Sequence, residues 1–218
     1  MVQVYIDIHT HRNPSSFPDV KTVWNNILNK DQEISYSGSR SAGLHPWYIS
    51  EKEPFNGISA LRVLLQHDQI IAVGECGLDK AIEISLPIQQ EVFREQISLA
   101  QQYHKPLIIH CVRAFEEVLY SIKTAEFKGP VVFHGFNKNK IVAEQLIKRG
   151  YYLSFGAAIL TGKLDAALIA VPIDQLFFET DDKELDIRQL YSYTAQLKGM
   201  SLDNLKNNIL KNYQLVFE

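Results

Sequence analysis

Cysteine is scarce in this chain of 218 residues, which contains only Cys76 and Cys111. Two cysteines are too few for a disulfide framework, so the sequence excludes the small disulfide-rich class and favours a reduced, cytoplasmic location. No apolar run approaches the ~18 residues that a membrane span needs. The opening residues, MVQVYIDIHT, lack the basic region and cleavage site of a signal peptide. We therefore expect no association with a membrane.

A large charge imbalance is also missing, since 22 basic residues face 25 acidic ones and the formal net charge is −3. Such a chain has no general electrostatic attraction for nucleic acid, so any phosphate binding must be local. With 46% hydrophobic and 22% charged residues, the chain can bury a full core. No low-complexity segment or flexible linker divides it, so we expect a single domain over residues 1–218.

Short apolar runs alternate with amphipathic segments of helical length. The runs are VYIDI, IIAVGE, PLIIH, PVVFH, GYYLSF and QLFFET, with two weaker strands at 21–28 and 41–44. Helices are predicted at 87–103, 114–125, 138–149, 185–198 and 201–212. Alternating strands and helices predict a parallel sheet, and about eight strands predict a (β/α)8 TIM barrel. The proline-rich segment between His11 and Lys21 is too short for a helix, so we expect a distorted barrel without its first crossover helix.

Metal-competent side chains stand where the predicted strands end. His9 and His11 lie two apart on the first strand, so their side chains share one face. Other strands end in a histidine or a carboxylate, namely Glu75, His110, His134 and Asp181. The carboxyl ends of barrel strands converge on one face, where active sites of this architecture lie. Four histidines and two carboxylates exceed the needs of one tetrahedral zinc and suit two divalent ions. The ions could be zinc, manganese or magnesium.

The remaining histidines and the cysteines are placed differently. His45, in GLHPW, ends a weak strand, and a structural role in a tight turn and a substrate-facing role are both open. His67 and His104 lie near helix ends among polar residues and are predicted to be surface residues. Cys76 and Cys111 directly follow metal-competent residues, so strand alternation predicts that they point away from the site and serve packing.

Seven motifs give the sequence a resemblance to a known family. They are DIHTH (7–11), GLHP (43–46), GECGLD (74–79), IIHC (108–111), VFHGF (132–136), GYYLSF (150–155) and ETD (179–181). In this order they resemble the TatD family of metal-dependent hydrolases and deoxyribonucleases, within the amidohydrolase superfamily, over nearly the whole chain. The resemblance implies a TIM barrel, two divalent cations per subunit and hydrolysis of phosphodiester bonds, typically in DNA.

Roles for the individual ligands follow from the same resemblance. It implies that one ion is held by His9 and His11 and the second by His110 and His134. Glu75 would bridge the two ions. Asp181 would bind the first ion and contact the attacking water, whose proton it could accept if the geometry is right.

The chain departs from the family pattern mainly around the substrate loops. Lys80 follows GLD where an aromatic pair is common, and Arg113 is displaced by one position from the usual arginine. The stretch ETDDKELD runs almost directly into a helix, so the substrate loops are trimmed. Basic residues nevertheless follow several strands, namely Arg12, Lys80, Arg113, Lys138 and Lys183. They favour an anionic substrate, and we predict that Lys80 and Arg113, with His45, contact it.

Three functions are compatible with these observations. The leading one is a metal-dependent phosphodiesterase that uses a metal-activated water on DNA ends or smaller nucleotides. The second is a hydrolase of another ester, a lactone or an amide, because the same metal pair activates water for any of them. The third, a non-catalytic metal-binding protein, is disfavoured because Asp181 accompanies the complete ligand set. No obligate protein partner is indicated.

Overall fold

The computed structural model describes residues 4–12, 17–28, 30 and 38–218, which contain eight strands and seven α-helices. The strands are β1 Tyr5–Thr10, β2 Val20–Ile27, β3 Arg40–Gly43, β4 Ile70–Asp79, β5 Leu107–Val112, β6 Val131–Phe133, β7 Tyr152–Phe155 and β8 Leu176–Phe178. The helices are α1 Ile58–Leu64, α2 Leu86–Gln102, α3 Phe115–Thr124, α4 Lys140–Ile147, α5 Asp165–Ala170, α6 Ile187–Leu197 and α7 Leu202–Phe217.

The strands occur in the sheet in the order in which they occur in the sequence, from β1 to β8. The pairs whose register is described are all parallel. A further parallel bridge joins Thr10 of β1 to Asp181, three residues beyond the end of β8. This order, with helices between successive strands from β3 onwards, is the topology of a (β/α)8 TIM barrel and confirms the predicted fold class.

The chain divides into two compact units, Asn25–Val131 on the one hand and Met1–Trp24 with Val132–Glu218 on the other. The single domain over residues 1–218 therefore stays a prediction. In the second of these units, α7 packs on β1 and β8. The buried Tyr191 of α6 ties its hydroxyl to β1, because that oxygen accepts from the Ile6 N–H (2.9 Å) and donates to the Ile6 carbonyl (3.0 Å).

In the unit Asn25–Val131, two glutamines of α2 hold the ends of strands. The Gln96 side chain accepts from the Leu44 N–H (2.8 Å) and donates to the Leu44 carbonyl (3.1 Å). Gln89 does the same for Asp79 at the end of β4, at 2.8 and 2.9 Å. Buried backbone groups need partners where the ladder of a sheet stops. The two glutamines therefore fix the segments that carry His45 and Asp79.

The predicted strands and helices are present, with helix bounds that differ by a few residues at most ends. The last helix is longer than predicted and reaches Phe217. The short helices α1 and α5 were not predicted. Between β1 and β2, residues 11–12 and 17–19 contain no helix, as predicted, and 13–16 lie outside the described residues. Among the helices that the structure describes, none has the length and apolar character needed to cross a bilayer.

The strand that carries Glu75 is longer than the sequence suggests. The apolar run predicts an end at Glu75, whereas β4 continues to Asp79 after an irregularity of register between Val73 and Cys76. Gly77 makes the continuation possible. Its φ is +143°, and a Cβ there would lie 2.0 Å from the His110 carbonyl oxygen, so only glycine lets β4 approach β5 this closely.

Candidate metal centre

One group of metal-competent side chains lies where β1 and β8 end, and we call it the β1/β8 cluster: His9, His11, His134, Glu179 and Asp181. Asp181 Oδ1 lies 3.8 Å from His9 Nε2 and 3.5 Å from His11 Nε2. The ring centroids of His9 and His134 are 4.3 Å apart. One ligand atom from each of His9, His11 and Asp181 falls within 4.8 Å of the others, which is close enough for a shared cation.

Backbone hydrogen bonds to β1 fix the position of Asp181. Its N–H donates to the His9 carbonyl (2.9 Å), and its carbonyl accepts from the His11 N–H (3.0 Å). Its φ is +53°, a left-handed conformation that aspartate tolerates better than most residues. The two bonds hold that conformation and keep the carboxylate beside the two imidazoles.

A buried chain of hydrogen bonds also supports the backbone at Thr180 and Asp181. Asp7 Oδ1 accepts from the Thr180 N–H (3.1 Å), and Asp7 Oδ2 lies 2.7 Å from Thr180 Oγ1. Thr180 Oγ1 lies 2.9 Å from Thr10 Oγ1, which donates to the Asp181 carbonyl (3.2 Å). The Thr180 hydroxyl has one proton, so it donates either to Asp7 or to Thr10. Burial raises the pKa of Asp7 to about 7, against the effect of its hydrogen bonds from Thr180.

Glu179 is a fully buried carboxylate behind His134. Its Oε1 accepts from the Gly135 N–H (2.6 Å) and lies 3.4 Å from His134 Nδ1. Its Oε2 is buried and has no hydrogen-bond partner among the described residues. Ligand atoms of His134, Glu179 and Asp181 fall within 4.8 Å of one another. A buried carboxylate oxygen without a donor is costly unless a positive charge accompanies it, so the donor set fits a cation.

A second group lies at the ends of β3, β4 and β5, and we call it the β4/β5 cluster: His45, Glu75, Asp79 and His110. Glu75 Oε1 lies 3.1 Å from His45 Nε2 and 2.9 Å from His110 Nδ1. The three side chains are buried and could hold a metal ion together. Asn25 orients Glu75, because its Oδ1 accepts from the Glu75 N–H (2.9 Å) and its Nδ2 donates to Glu75 Oε2 (3.3 Å).

Asp79 faces the other side of the His110 ring. Its Oδ2 lies 3.1 Å from His110 Nε2 and accepts from the Trp47 indole N–H (2.7 Å). Its Oδ1 accepts from the Ala81 N–H (2.7 Å). Burial alone would raise the pKa of Asp79, but the hydrogen bonds from Trp47, Ala81 and His110 outweigh burial and lower it. Asp79 therefore holds one ring nitrogen of His110, while the other lies beside Glu75.

The structure gives His45 the structural role in a turn that the sequence left open, and it also places the ring beside Glu75. Its Nδ1 accepts from the Trp47 N–H (3.1 Å) and caps the short 3-10 helix Pro46–Tyr48. Its Nε2 faces Glu75 within the β4/β5 cluster. Contact of His45 with a substrate stays a prediction.

The six predicted metal ligands fall into these two clusters. Four belong to the β1/β8 cluster, namely His9, His11, His134 and Asp181, and Glu75 and His110 belong to the β4/β5 cluster. The clusters lie in separate units of the fold. The bridging role of Glu75 and the pairing of His110 with His134 therefore stay predictions, as does the role of Asp181 in guiding water.

Several of the predicted phosphate-binding residues already have acidic partners. Lys80 pairs with Glu117. Arg12 Nη2 lies 3.0 Å from Glu184, and Lys183 Nζ lies 3.0 Å from Asp182. Arg113 is exposed and has a φ of +54°. The positive charge offered by Lys80 is thus partly balanced, and its contact with substrate, like that of Arg113, stays a prediction.

Four residues that shape the clusters were not predicted: Asn25, Trp47, Asp79 and Glu179. Asp79 and Glu179 lie inside the motifs GECGLD and ETD, beside the residues that were chosen. Asn25 interrupts a buried strand with a polar side chain, and buried polar residues need partners. The polar Asn25 within a buried strand therefore indicates, from the sequence alone, a residue with a specific partner.

Comparisons with known proteins identify the family of this chain. The family model described as TatD related DNase matches residues 18–218. An uncharacterized metal-dependent hydrolase of Buchnera aphidicola subsp. Baizongia pistaciae is 28% identical over 255 residues, covering 97% of this chain and 95% of that protein. The 3'-5' ssDNA/RNA exonuclease TatD of Cronobacter sakazakii is 35% identical over 164 residues, covering 71% of this chain and 61% of that protein.

Among solved structures, YJJV, a TatD homologue from Escherichia coli K12, has the same fold. Its TM-score is 0.81 at 22% identity, covering 100% of this chain and 99% of that one. This similarity supports the barrel topology seen in the strand order. The matched family model spans most of the chain and includes the residues of the β4/β5 cluster. The resemblance carried by the seven motifs is therefore confirmed, and this chain belongs to the TatD family of metal-dependent hydrolases.

Proposed function

We propose that this protein is a metal-dependent phosphodiesterase that hydrolyses nucleic acid, with DNA as the leading substrate. The observation that carries the proposal is the grouping of Asp181 with His9 and His11 within metal-binding distance. The naming of a 35% identical relative as a 3'-5' ssDNA/RNA exonuclease supports the substrate class.

The residues of both clusters suit divalent cations. Imidazole and carboxylate donors bind zinc and manganese, and carboxylates also bind magnesium. The β1/β8 cluster offers His9, His11 and Asp181, and the β4/β5 cluster offers His45, Glu75 and His110. Bound cations would supply Lewis-acid stabilisation of the phosphate and a lowered pKa of water.

Asp181 is placed to guide the nucleophile. Its carboxylate is part-exposed, whereas that of Glu179 is buried, so Asp181 is accessible to a water and to a phosphodiester. In the reaction, the oxygen of water forms a bond to phosphorus, the bond from phosphorus to the leaving sugar oxygen breaks, and that oxygen takes a proton from solvent. Asp181 orients the water and accepts its proton. The backbone bonds to β1 keep the carboxylate in place during the transfer.

Replacement of Asp181 by asparagine separates catalysis from folding. Asp181→Asn keeps the shape of the side chain but removes the proton acceptor, so kcat should fall by about 10²–10⁴-fold. The assay measures cleavage of 5'-labelled single-stranded DNA with zinc, manganese or magnesium added to chelator-treated protein. The control is Asp182→Asn, because Asp182 is the exposed neighbour and pairs with Lys183. Near-normal cleavage by a metal-loaded Asp181→Asn protein would contradict the role assigned to Asp181.

A second candidate function is hydrolysis of another ester, a lactone or an amide. The acidic partners of Lys80, Arg12 and Lys183 favour it, because they weaken the positive charge available to a phosphate. Parallel turnover of phosphodiester, lactone and amide substrates by the same metal-loaded protein decides between the two. Turnover of a lactone or an amide without cleavage of DNA would replace the leading proposal.

A further inference from the structure

Trp47 is exposed yet firmly oriented. Its side chain is 55% exposed, although its indole N–H donates to Asp79 Oδ2 at 2.7 Å. Asp79 itself is only 1% exposed and is held by further bonds to Ala81 and His110. A surface tryptophan that merely covers apolar neighbours does not need such an anchor. The indole is therefore fixed at its polar edge, while much of the ring remains open to solvent.

The ring of Trp47 adjoins the imidazoles of the β4/β5 cluster. Its centroid lies 5.2 Å from that of His45, with an interplanar angle of 88°, and 6.2 Å from that of His110, at 77°. These near-perpendicular contacts place the indole beside groups that could hold a cation. A molecule stacked on the indole would thus lie within a few ångströms of the β4/β5 cluster.

The exposed residues that follow Trp47 most closely in the sequence are polar. Residues 50–53, Ser-Glu-Lys-Glu, follow it closely and are all exposed. Contiguous apolar patches mark protein interfaces, whereas an isolated, preoriented aromatic ring next to a polar site suits a flat ligand. Nucleobases are flat, and the bases of a single strand, unlike those of a duplex, have open faces.

We propose that Trp47 is a binding residue that stacks on a nucleobase of a single-stranded substrate, beside the β4/β5 cluster. This inference rests on the proposed function, because it adds a binding residue for the same nucleic-acid substrate. Every base has a stackable face, so such a contact gives little sequence preference.

Intrinsic fluorescence gives a direct measurement of the stacking. The chain contains two tryptophans, and Trp24 is buried at 4% exposure, so an added ligand can reach Trp47 only. A cation-loaded protein is titrated with a phosphorothioate oligothymidylate of eight nucleotides, which resists cleavage, and with the same backbone lacking bases. Stacking should quench emission with the first oligonucleotide and not with the second. Trp47→Phe should abolish the quenching.

Binding measurements on variants test the energetic importance of the ring. Stacking contributes about 1–3 kcal/mol per base, so Trp47→Ala should raise the Kd for the oligothymidylate by about 5- to 150-fold. Trp47→Phe keeps an aromatic face but loses the bond to Asp79, so its Kd should lie between those of Trp47→Ala and the parent. Phe55→Ala is the matched control, because Phe55 is another exposed aromatic residue of the same loop, at 46%. It should bind like the parent.

The possible outcomes distinguish this inference from the proposed function. If the parent cleaves DNA but shows no base-dependent quenching, or Trp47→Ala binds as tightly as the parent, the stacking role is wrong and the proposed function stands. Equal weakening by Phe55→Ala would show a general apolar patch and would also overturn it. Failure of the parent to cleave any nucleic acid rejects the proposed function, whereas the quenching titration measures binding without turnover. If Trp47→Ala fails to fold, Trp47→Phe and the titration still decide.

Discussion

The carboxylate of Glu179 is buried behind His134 and bonded to the neighbouring Gly135 N–H. Carboxylates that contact the second nitrogen of a metal-binding histidine fix its tautomer and raise its basicity. Glu179 could alternatively bind a cation itself, because its Oε2 has no hydrogen-bond partner in the described part of the chain. Both roles make its charge important for metal affinity.

Glu179→Gln should therefore weaken metal binding without unfolding the protein. The glutamine keeps a carbonyl oxygen for the Gly135 N–H but removes the negative charge, so metal affinity should fall by about 10- to 100-fold. Isothermal titration of chelator-treated protein with zinc or manganese measures the change. Glu184→Gln is the control, because Glu184 is a highly exposed carboxylate paired with Arg12. Unchanged affinity of Glu179→Gln would contradict both roles.

The raised pKa of Asp7 predicts an unusual pH dependence of the protein's stability. Its pKa is raised from 3.8 to about 7, so the folded protein holds a proton that the unfolded chain has released. Stability should therefore fall as the pH rises from about 4 to 7. A difference of about three pKa units corresponds to roughly 4 kcal/mol at most. Asp7→Asn mimics the protonated form and should remove this pH-dependent contribution. The stability of the variant relative to the parent should therefore be highest near pH 7 to 8.

Urea unfolding of the metal-free protein between pH 4 and 8 measures this difference. Asp19→Asn provides a control of opposite sign, because the hydrogen bond from Arg188 lowers the pKa of Asp19. Its contribution is present at neutral pH and is lost as the pH falls through the acidic range. A parent and an Asp7→Asn variant whose stabilities differ by the same amount at every pH would show that Asp7 is ionised throughout.

At the scale of the element, β4 shows how far the sequence could predict the site. The apolar run ending in Glu75 revealed one ligand, but the continuation to Asp79 depends on Gly77 approaching the His110 carbonyl. That approach is a property of two strands together, and one sequence does not reveal which strands are neighbours at that point. Histidines at strand ends were readable for the opposite reason, because each stands out within its own strand.

The contrast between local and long-range features also explains which other elements the sequence predicted. Strands and long helices were predicted because their apolar patterns are local. The helices α1 and α5 have seven and six residues, too few to show a helical period clearly. Glu179 owes its role to Gly135, 44 positions away, so its own surroundings in the sequence gave little indication. Asn25 acts on Glu75, 50 positions away, but as a polar residue in a buried strand it could be recognised from its own surroundings.

Helix α7 begins with a cap whose contribution can be measured. The Ser201 hydroxyl accepts from the Asn204 N–H at 3.2 Å and satisfies one of the free donors at the helix start. Ser201→Ala should lower the free energy of unfolding by about 1 kcal/mol. Because α7 packs on β1 and β8, the loss should appear in global urea unfolding. Ser98→Ala, at an exposed position inside α2, should have little effect, and equal losses in both variants would argue against the cap.

At the scale of the molecule, the number of bound cations and the distance between them test whether the predicted ligands form one two-metal centre. We expect two per chain in the parent by elemental analysis, and fewer in Glu75→Gln, which should also lose activity. If the two ions form one centre, as the family resemblance implies, they lie ~3.5–4 Å apart. Two Mn²⁺ ions at that distance should give a spin-coupled electron paramagnetic resonance spectrum. A single ion per chain, or two uncoupled ions, would exclude the shared centre.

The residues of the two clusters are synthesised at different times during translation. The ligands of the β4/β5 cluster lie between His45 and His110, whereas the β1/β8 cluster joins His9 to Asp181. At 5–20 residues per second, a ribosome adds the roughly 70 residues from His110 to Asp181 in about 4 to 14 seconds. Throughout that interval the growing chain has all three ligands of one candidate site and lacks the closing carboxylate of the other. Translation therefore completes the ligand set of the β4/β5 cluster before that of the β1/β8 cluster.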